Sequence, residues 1–440
     1  MRKDFEQLAD AVCIDDGAVD RTMLYWAAES SDFIRFNHAQ VRQATHVEQR
    51  FGTISVVRGA RQATARVSLS GVTQADSQVL LAERKRLIED LPLVPEDAYL
   101  LLPDEIQHTE RDAAGRLPDA RHLIDAVATH GKDTDLVGFY SGGPIARAYA
   151  DSRGQRNWHR VESFHFDWCL YRSGDKAVKS SYAGTAWDDA SFAARMGAAR
   201  EQLNLLGRPV KTLEPGAYRV YFSPVAVADL LGNLAWGGFG HKDVQTGVGT
   251  LVRVHRGQEM FNEAVTLTEA TAEGIAPRFQ PDGFVKPAAV PLVKDGRLAQ
   301  TLVSPRSARE YGMPANGANA SESPDSLAMA GGTLAQSGVL EALGTGVYIS
   351  DLHYLNYSDR QACRMTGMTR FACFWVENGR IVAPISVMRW DDAFVRMFGE
   401  GLVALTQGAE LVPDSSTYGE RQLRSVTAPG AIVEGFRFTL

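Results

Sequence analysis

Apolar positions in the first twelve residues recur at the helical period. Phe5, Leu8, Ala9 and Val12 form one stripe and predict an amphipathic helix. Two strand-like runs follow at residues 22–28 and 32–37. Thr53, Ile54, Val56 and Val57 then lead into the turn residues Gly59, Ala60 and Arg61. Beyond the turn, Ala63, Ala65, Val67 and Leu69 alternate with polar side chains, which predicts a hairpin. From Thr73 to Leu91 the period is helical again, with Leu80, Leu87 and Leu91 on one side and Pro92 and Pro95 ending the helix. The polar, broken stretch 95–118 reads as surface loop. A helix around 121–129, strands at 136–140, 145–150 and 162–171, a turn at 151–154 and a long helix over 188–205 complete the first half.

The pattern changes after residues 207–216, where Arg208-Pro209 and Glu214-Pro215-Gly216 mark a loop and the expected domain boundary. Tyr218 to Phe222 reads as a strand. Ser223 is placed to cap a following helix, with Pro224 at its first position. Short apolar runs at 251–254, 264–267, 288–292, 347–352, 370–376 and 380–384 read as strands. Asn378-Gly379 is the strongest hairpin turn signal in the chain, and Lys294-Asp295-Gly296 is a second. Residues 312–326 read as an irregular loop. The expected fold class is therefore α+β. An N-terminal α/β domain with a mixed sheet (1–210) is followed by a C-terminal domain (211–440), mostly an antiparallel sheet or barrel with a few helices.

Composition refines this picture. The 440 residues are 45% hydrophobic and 22% charged, ordinary values for a globular protein of two or three domains. The net charge of -7 and the absence of a basic stripe argue against a nucleic-acid partner. The densest basic cluster, Arg84-Lys85-Arg86, reads as a solvated helix face. Acidic residues interrupt the N-terminus, so no signal peptide is expected, and no apolar run is long enough to span a membrane. Cys13, Cys169, Cys363 and Cys373 are widely spaced and form no CxxC pair. They read as buried free thiols in a reducing, cytoplasmic compartment.

Candidate chemistry is sparse. No HExxH or HExxxH occurs, and no two of the ten histidines lie three, four or five residues apart. A helix therefore cannot present two imidazoles on one face. His159 and His165, six apart in a strand-like stretch, read as a solvated pair on one sheet face. Cys363 or Cys373 could meet His353 in space, but both cysteines read better as packed core. No nucleophile elbow is present; Tyr140-Ser141-Gly142-Gly143 only echoes one. The glycine-rich runs 237–240 and 247–249 complete neither a P-loop nor a dinucleotide pattern.

Several runs, in order, resemble the TldD/PmbA (TldD/TldE) metallopeptidase family. They are RAYADSRG at 147–154, EPGAYRVYFSP at 214–224, VKDGRL at 293–298, TGVYISDL at 345–352 and FWVENGRIVAPI at 374–385. In that family, TldD-type subunits carry an HExxxH helix and a later cysteine that together hold zinc, with the glutamate as general base. TldE/PmbA-type subunits lack both and pair with TldD. The matching helix position falls here near 234–239 and the cysteine loop near 416–420, and neither supplies a ligand. The resemblance thus implies a TldE/PmbA-like, non-catalytic subunit with no cofactor of its own. Zinc would reside in a TldD-like partner of a heterodimer, a homodimer of this chain being the other pairing, and an extended peptide would be the substrate. Residues 360–369 depart from the family's more glycine-rich stretch. Two alternatives stay open: a stand-alone peptidase with an unusual metal site drawn from His241, His353 or Cys363, and a peptide-binding scaffold without a peptidase partner.

Overall fold

The computed structural model describes residues 1–173 and 176–440. The first sheet uses β1 (Arg21–Asn37), β2 (Gln40–Arg58), β3 (Arg61–Leu69), β4 (Thr109–Ala113), β5 (Asp135–Asp151), β6 (Arg156–Ser173) and β7 (Lys176–Gly184). Four helices accompany it: α1 (Arg2–Val12), α2 (Thr73–Asp90), α3 (Ala120–His130) and α4 (Asp189–Leu205). Strand order is β3-β2-β1-β5-β6, and β4 and β7 share the outer edge of β6. β4 runs parallel to its start, and β7 runs antiparallel to its remainder. The sheet is therefore mixed, as its sequence suggests.

Alternation along the strands assigns the two faces of this sheet. Leu24, Trp26 and Ala28 pack with α1 and α2, whereas Ile34, Phe36, Phe164 and Phe166 pack with α3 and α4. These even-numbered positions put all four helices on one face. The odd-numbered positions, among them Glu29, Arg147, His159, Ser163 and His165, point the other way. They are nonetheless buried, because loops from the second half of the chain cover that face. His159 is only 1% exposed and its Nε2 donates to the Ile275 carbonyl at 3.0 Å. The expected solvated histidine pair is thus corrected: sheet alternation was right, but a second layer covers it.

The second half adds β8 (Gly216–Phe222), β9 (Leu267–Glu269), β10 (Val290–Lys294), β11 (Arg297–Leu298) and β12 (Ser326–Met329). It continues with β13 (Gly346–Asp359), β14 (Arg364–Glu377), β15 (Arg380–Pro384), β16 (Arg389–Ala393), β17 (Leu402–Pro413) and β18 (Ser425–Phe438). Its helices are α5 (Pro224–Ala235), α6 (His241–Thr246), α7 (Val252–His255), α8 (Pro305–Tyr311), α9 (Val339–Leu343) and α10 (Phe394–Met397). β8, β13, β14, β16 and β18 follow one another in hydrogen-bonded order, and β18 returns to β8, so the circuit closes into a barrel. Phe222, Ile349, Met365, Trp390 and Phe436 belong to its core, which continues onto the apolar side of α5. Ser223 caps α5 by accepting from the Ala226 amide, with Pro224 in the first turn. Asn378 and Gly379 both take positive φ, +49° and +73°, the geometry a two-residue hairpin between β14 and β15 requires.

Local expectations fail where tertiary contacts decide. Residues 252–254 belong to helix α7, with Leu251 as its N-cap, and are not strand: Leu251 and Val252 are both buried, so their spacing did not separate the two periods. In 264–267 only Leu267 joins a strand. The polar segment 95–118 contains β4, held by the open edge of β6. In the basic cluster of α2, Arg84 is buried and bonds Asp16 through both terminal nitrogens at 2.8 and 2.9 Å, while Lys85 and Arg86 are solvated.

Candidate functional site

A cavity of about 850 Å³ opens where the helix-free face of the first sheet meets the second half of the chain. Strand pairing builds one wall. Asp167 opposes Ser181 and Cys169 opposes Lys179, so the odd positions of β6 and the matching positions of β7 share a face. His165, Asp167, Lys179 and Ser181 therefore look into the cavity. The opposing wall comes from α5, through Ala228, Asp229 and Gly232, and from β13, through Ser350 and Asp351.

Four charged groups dominate the centre. Lys179 Nζ stands 3.5 Å from Asp351 Oδ1, and Asp351 is 4% exposed. Burial alone would lower the Lys179 pKa, but Asp351, Asp229 and Asp167 outweigh it and hold the ammonium above its usual value. Asp229 is pushed up to about 7 by burial and by the Asp351 charge, against the opposing pull of Lys179 and of the Leu352 amide. His165 Nε2 lies 3.5 Å from Asp167 Oδ1, and burial lowers the imidazole's pKa despite that carboxylate. At the periphery, Arg195 pairs with Glu410 at 3.1 Å and Arg424 with Asp414 at 2.9 Å.

This arrangement can hold a proton near neutrality on Asp229 and can offer a carboxylate to a cation. It does not fit zinc. The cavity-lining carboxylates have an ammonium among them, and the one imidazole in that lining is turned to Asp167. Among the described residues no three His, Cys, Asp or Glu side chains form a metal-ligand group.

The three metal candidates from the sequence lie elsewhere. His241 opens α6, with Nδ1 3.1 Å from Thr301 Oγ1 and Nε2 3.2 Å from Gln245, and its ring packs on Tyr311. His353 Nε2 accepts from Arg370 at 2.8 Å, and its ring sits 4.2 Å from that of Tyr354. Cys363 is buried at the β13–β14 turn, where desolvation pushes its thiol up to about 12. It is therefore a packed thiol rather than a nucleophile. Within 371–375, Ala372 and Phe374 are core beneath α4, while Cys373 is buried in the barrel cluster.

The stretch 234–239, where the family's ligand helix was expected, is the end of α5 and the turn after it. Ala235 and Trp236 of this stretch reach the edge of the cavity, and Ala228, Asp229 and Gly232, one to two turns earlier, line it further along α5. Asp229, Lys179 and Asp351 were not singled out from the sequence. The available signal was Asp229 itself, the sole charged residue in the mostly apolar helix PVAVADLLGNLA. The cysteine-loop position, 416–420, lies between β17 and β18. Tyr418 at its tip is 96% exposed, and Glu420 bonds Arg147 and Arg66 of the first sheet.

Fold and site together define a two-sheet α+β protein with an acid–lysine cleft between its sheets. Residues 215–440 match the PmbA/TldA metallopeptidase C-terminal domain. The chain is 24% identical over 340 residues to the metalloprotease PmbA of Escherichia coli O157:H7, covering 74% of this chain and 71% of that one. Its fold matches TldE from Thermococcus kodakarensis with a TM-score of 0.82 at 12% identity, over 99% of this chain and all of the other. A Thermotoga maritima protein solved as a candidate modulator of a DNA gyrase matches at 0.78 and 15% identity, over the whole of both chains. The chain belongs to the PmbA/TldD metallopeptidase family. No described helix is long and apolar enough to cross a membrane.

Proposed function

We propose that this chain is a non-catalytic, TldE-like subunit of a zinc metallopeptidase assembly that processes unfolded or extended peptides. It comprises two domains, 1–210 and 211–440, and works in the cytoplasm, where its four free thiols would stay reduced. Its partner would be a TldD-like chain bearing HExxxH and a late cysteine, which supplies zinc and the general base. The carrying observation is the helix α5 at the cleft. It presents Ala228, Asp229 and Gly232 where a hydrolytic site would need imidazoles, and Lys179 supplies the positive charge.

The test is co-expression with a genomically neighbouring HExxxH-bearing chain, followed by peptide digestion with and without a chelator. We expect the pair to co-purify and the digestion to be chelator-sensitive. The chain by itself would hold no stoichiometric zinc and cleave nothing. Tightly bound zinc in the isolated chain, lost on His241→Ala, would overturn this in favour of a stand-alone peptidase. Failure to recover any such partner would favour a peptide-binding scaffold.

A further inference from the structure

Charge accounting of the cleft leaves carboxylates over. Glu410 has Arg195, Asp414 has Arg424 and Asp351 has Lys179. Asp229 and Asp167 form no ion pair with a lysine or arginine among the described residues; they share the more distant field of Lys179, and Asp167 has the burial-depressed imidazole of His165 beside it. Ser350, 8% exposed, lines the same wall beside the Asp351 carboxylate, and its Oγ makes no well-formed hydrogen bond among the described residues, leaving it able to accept one. A buried carboxylate without a counter-ion is costly and is relieved by a cation that brings its own donors. A divalent ion fits badly, because the Lys179 ammonium already stands within 3.5 Å of one prospective ligand. A primary ammonium fits well, because it is monovalent and directs three donors at carboxylate and hydroxyl oxygens.

The size and rim of the cleft point to what carries that ammonium. About 850 Å³ exceeds a small amine and suits a short stretch of peptide. Trp236, at the end of α5, lies on the rim with 59% of its surface exposed, and Arg360 stacks on its ring at 4.6 Å. A flat aromatic platform beside a polar cleft suits a side chain of a bound peptide.

We propose that the cleft captures a peptide by its primary ammonium, held against Asp229 and the Ser350 hydroxyl, with the following residues running out over Trp236. This rests on the peptide-handling reading above and adds the recognised group: a free amino end, or else a lysine side chain. The capture is pH-dependent. Asp229 faces Asp351 on β13, Lys179 on β7 and Asp167 on β6, and only its ionised form attracts the ligand.

Calorimetry on the full chain tests this with three lysine-free or lysine-bearing hexapeptides of otherwise equal sequence. One has a free amino end, one is N-acetylated, and one is N-acetylated with a single lysine. We expect the first to bind and acetylation to weaken it at least about tenfold; rescue by lysine would assign the side-chain ammonium instead. With an acid titrating at about 7, affinity should rise from pH 6 to pH 8, about fivefold for a free amino end, which itself loses its proton near pH 8, and about tenfold for a lysine ammonium. Asp229→Asn should abolish that rise and weaken binding about tenfold. Lys179→Gln, which removes a competing cation, should strengthen binding about threefold or more, a gain no folding defect produces. Equal binding of all three peptides, no binding of any, or an unchanged Asp229→Asn variant would overturn the proposal. The assay needs no partner. A chain that captures amino ends yet recruits no peptidase would sink only the subunit reading, and the converse would sink only this one.

Discussion

Arg421 offers the sharpest energetic test of how the two halves are joined. It sits in the segment between β17 and β18, is 5% exposed and reaches into the first sheet. Its guanidinium donates to Ser31 Oγ at 3.2 Å, Gly143 O at 3.1 Å, Ser163 O at 2.7 Å and Ser163 Oγ at 3.1 Å. Its backbone amide donates to Glu29 Oε2 at 3.3 Å, and Glu29 is itself 3% exposed. Burial lowers the Arg421 pKa to about 10, with Glu29 pulling the other way, so the group stays cationic at neutral pH. Arg421→Met keeps most of the volume and removes the charge. It removes the positive charge whose field reaches Glu29, and it orphans two carbonyls, of Gly143 and Ser163. Two buried carbonyls left without donors cost about 1–1.5 kcal/mol each, and losing the attraction between Arg421 and Glu29 adds about 1–2 kcal/mol. Urea unfolding followed by intrinsic fluorescence should show a loss of about 3–5 kcal/mol. The double variant Arg421→Met with Glu29→Gln should recover about 1–2 kcal/mol of it, because the buried Glu29 charge is gone as well. A single variant within about 0.5 kcal/mol of the parent would refute the claim that this arginine ties the halves together.

Two further outcomes follow from the cleft. Asp229 has a folded pKa of about 7, above its unfolded value, so the folded state binds more protons between roughly pH 4 and pH 7 and loses stability as pH rises through that window. Asp229→Asn, which mimics the protonated acid, should therefore stabilise the protein at pH 8 by roughly 1–3 kcal/mol, less than the full shift implies because the side chain is partly exposed; destabilisation there, read by urea unfolding at pH 5 and pH 8, would contradict this. Ser223→Ala removes the cap of the helix that carries Asp229 and a hydroxyl that also donates to the Ser350 carbonyl. A loss of about 1–2 kcal/mol should appear by the same measurement.

The helices were legible because their apolar stripes face one layer. Phe5, Leu8, Ala9 and Val12 are all buried, and α4 begins one residue after its capping Asp188, as the pattern predicts. Hairpin turns were equally legible, since Asn378-Gly379 and Asp295-Gly296 require positive φ and few other residues accept it. The long strands were read in pieces. Ser30 and Ser31 interrupt β1, and Gly142, Gly143 and Pro144 interrupt β5, yet the two strands pair on either side of the interruption. Gly143 permits the close approach there: a side chain would put Cβ 2.1 Å from the Ser30 carbonyl. The cleft was not legible because its groups come from four elements spread over residues 165–351. Lys179 and Asp351 are unremarkable in their own strands and acquire meaning only across the gap. The one local hint, a lone acid in an apolar helix, needed the facing sheet to give it a role.

The barrel circuit has a kinetic consequence. β8 is completed by residue 222, but two of the pairings that close the ring, with β8 and with β16, belong to β18, which begins some 200 residues later. During synthesis the strands of the first sheet, all within residues 21–184, can assemble early. The edge of β8 must wait for nearly the whole remaining chain to leave the ribosome. Until then an apolar strand edge stands open, so slowed translation or truncation ahead of β18 should produce aggregation from this half first.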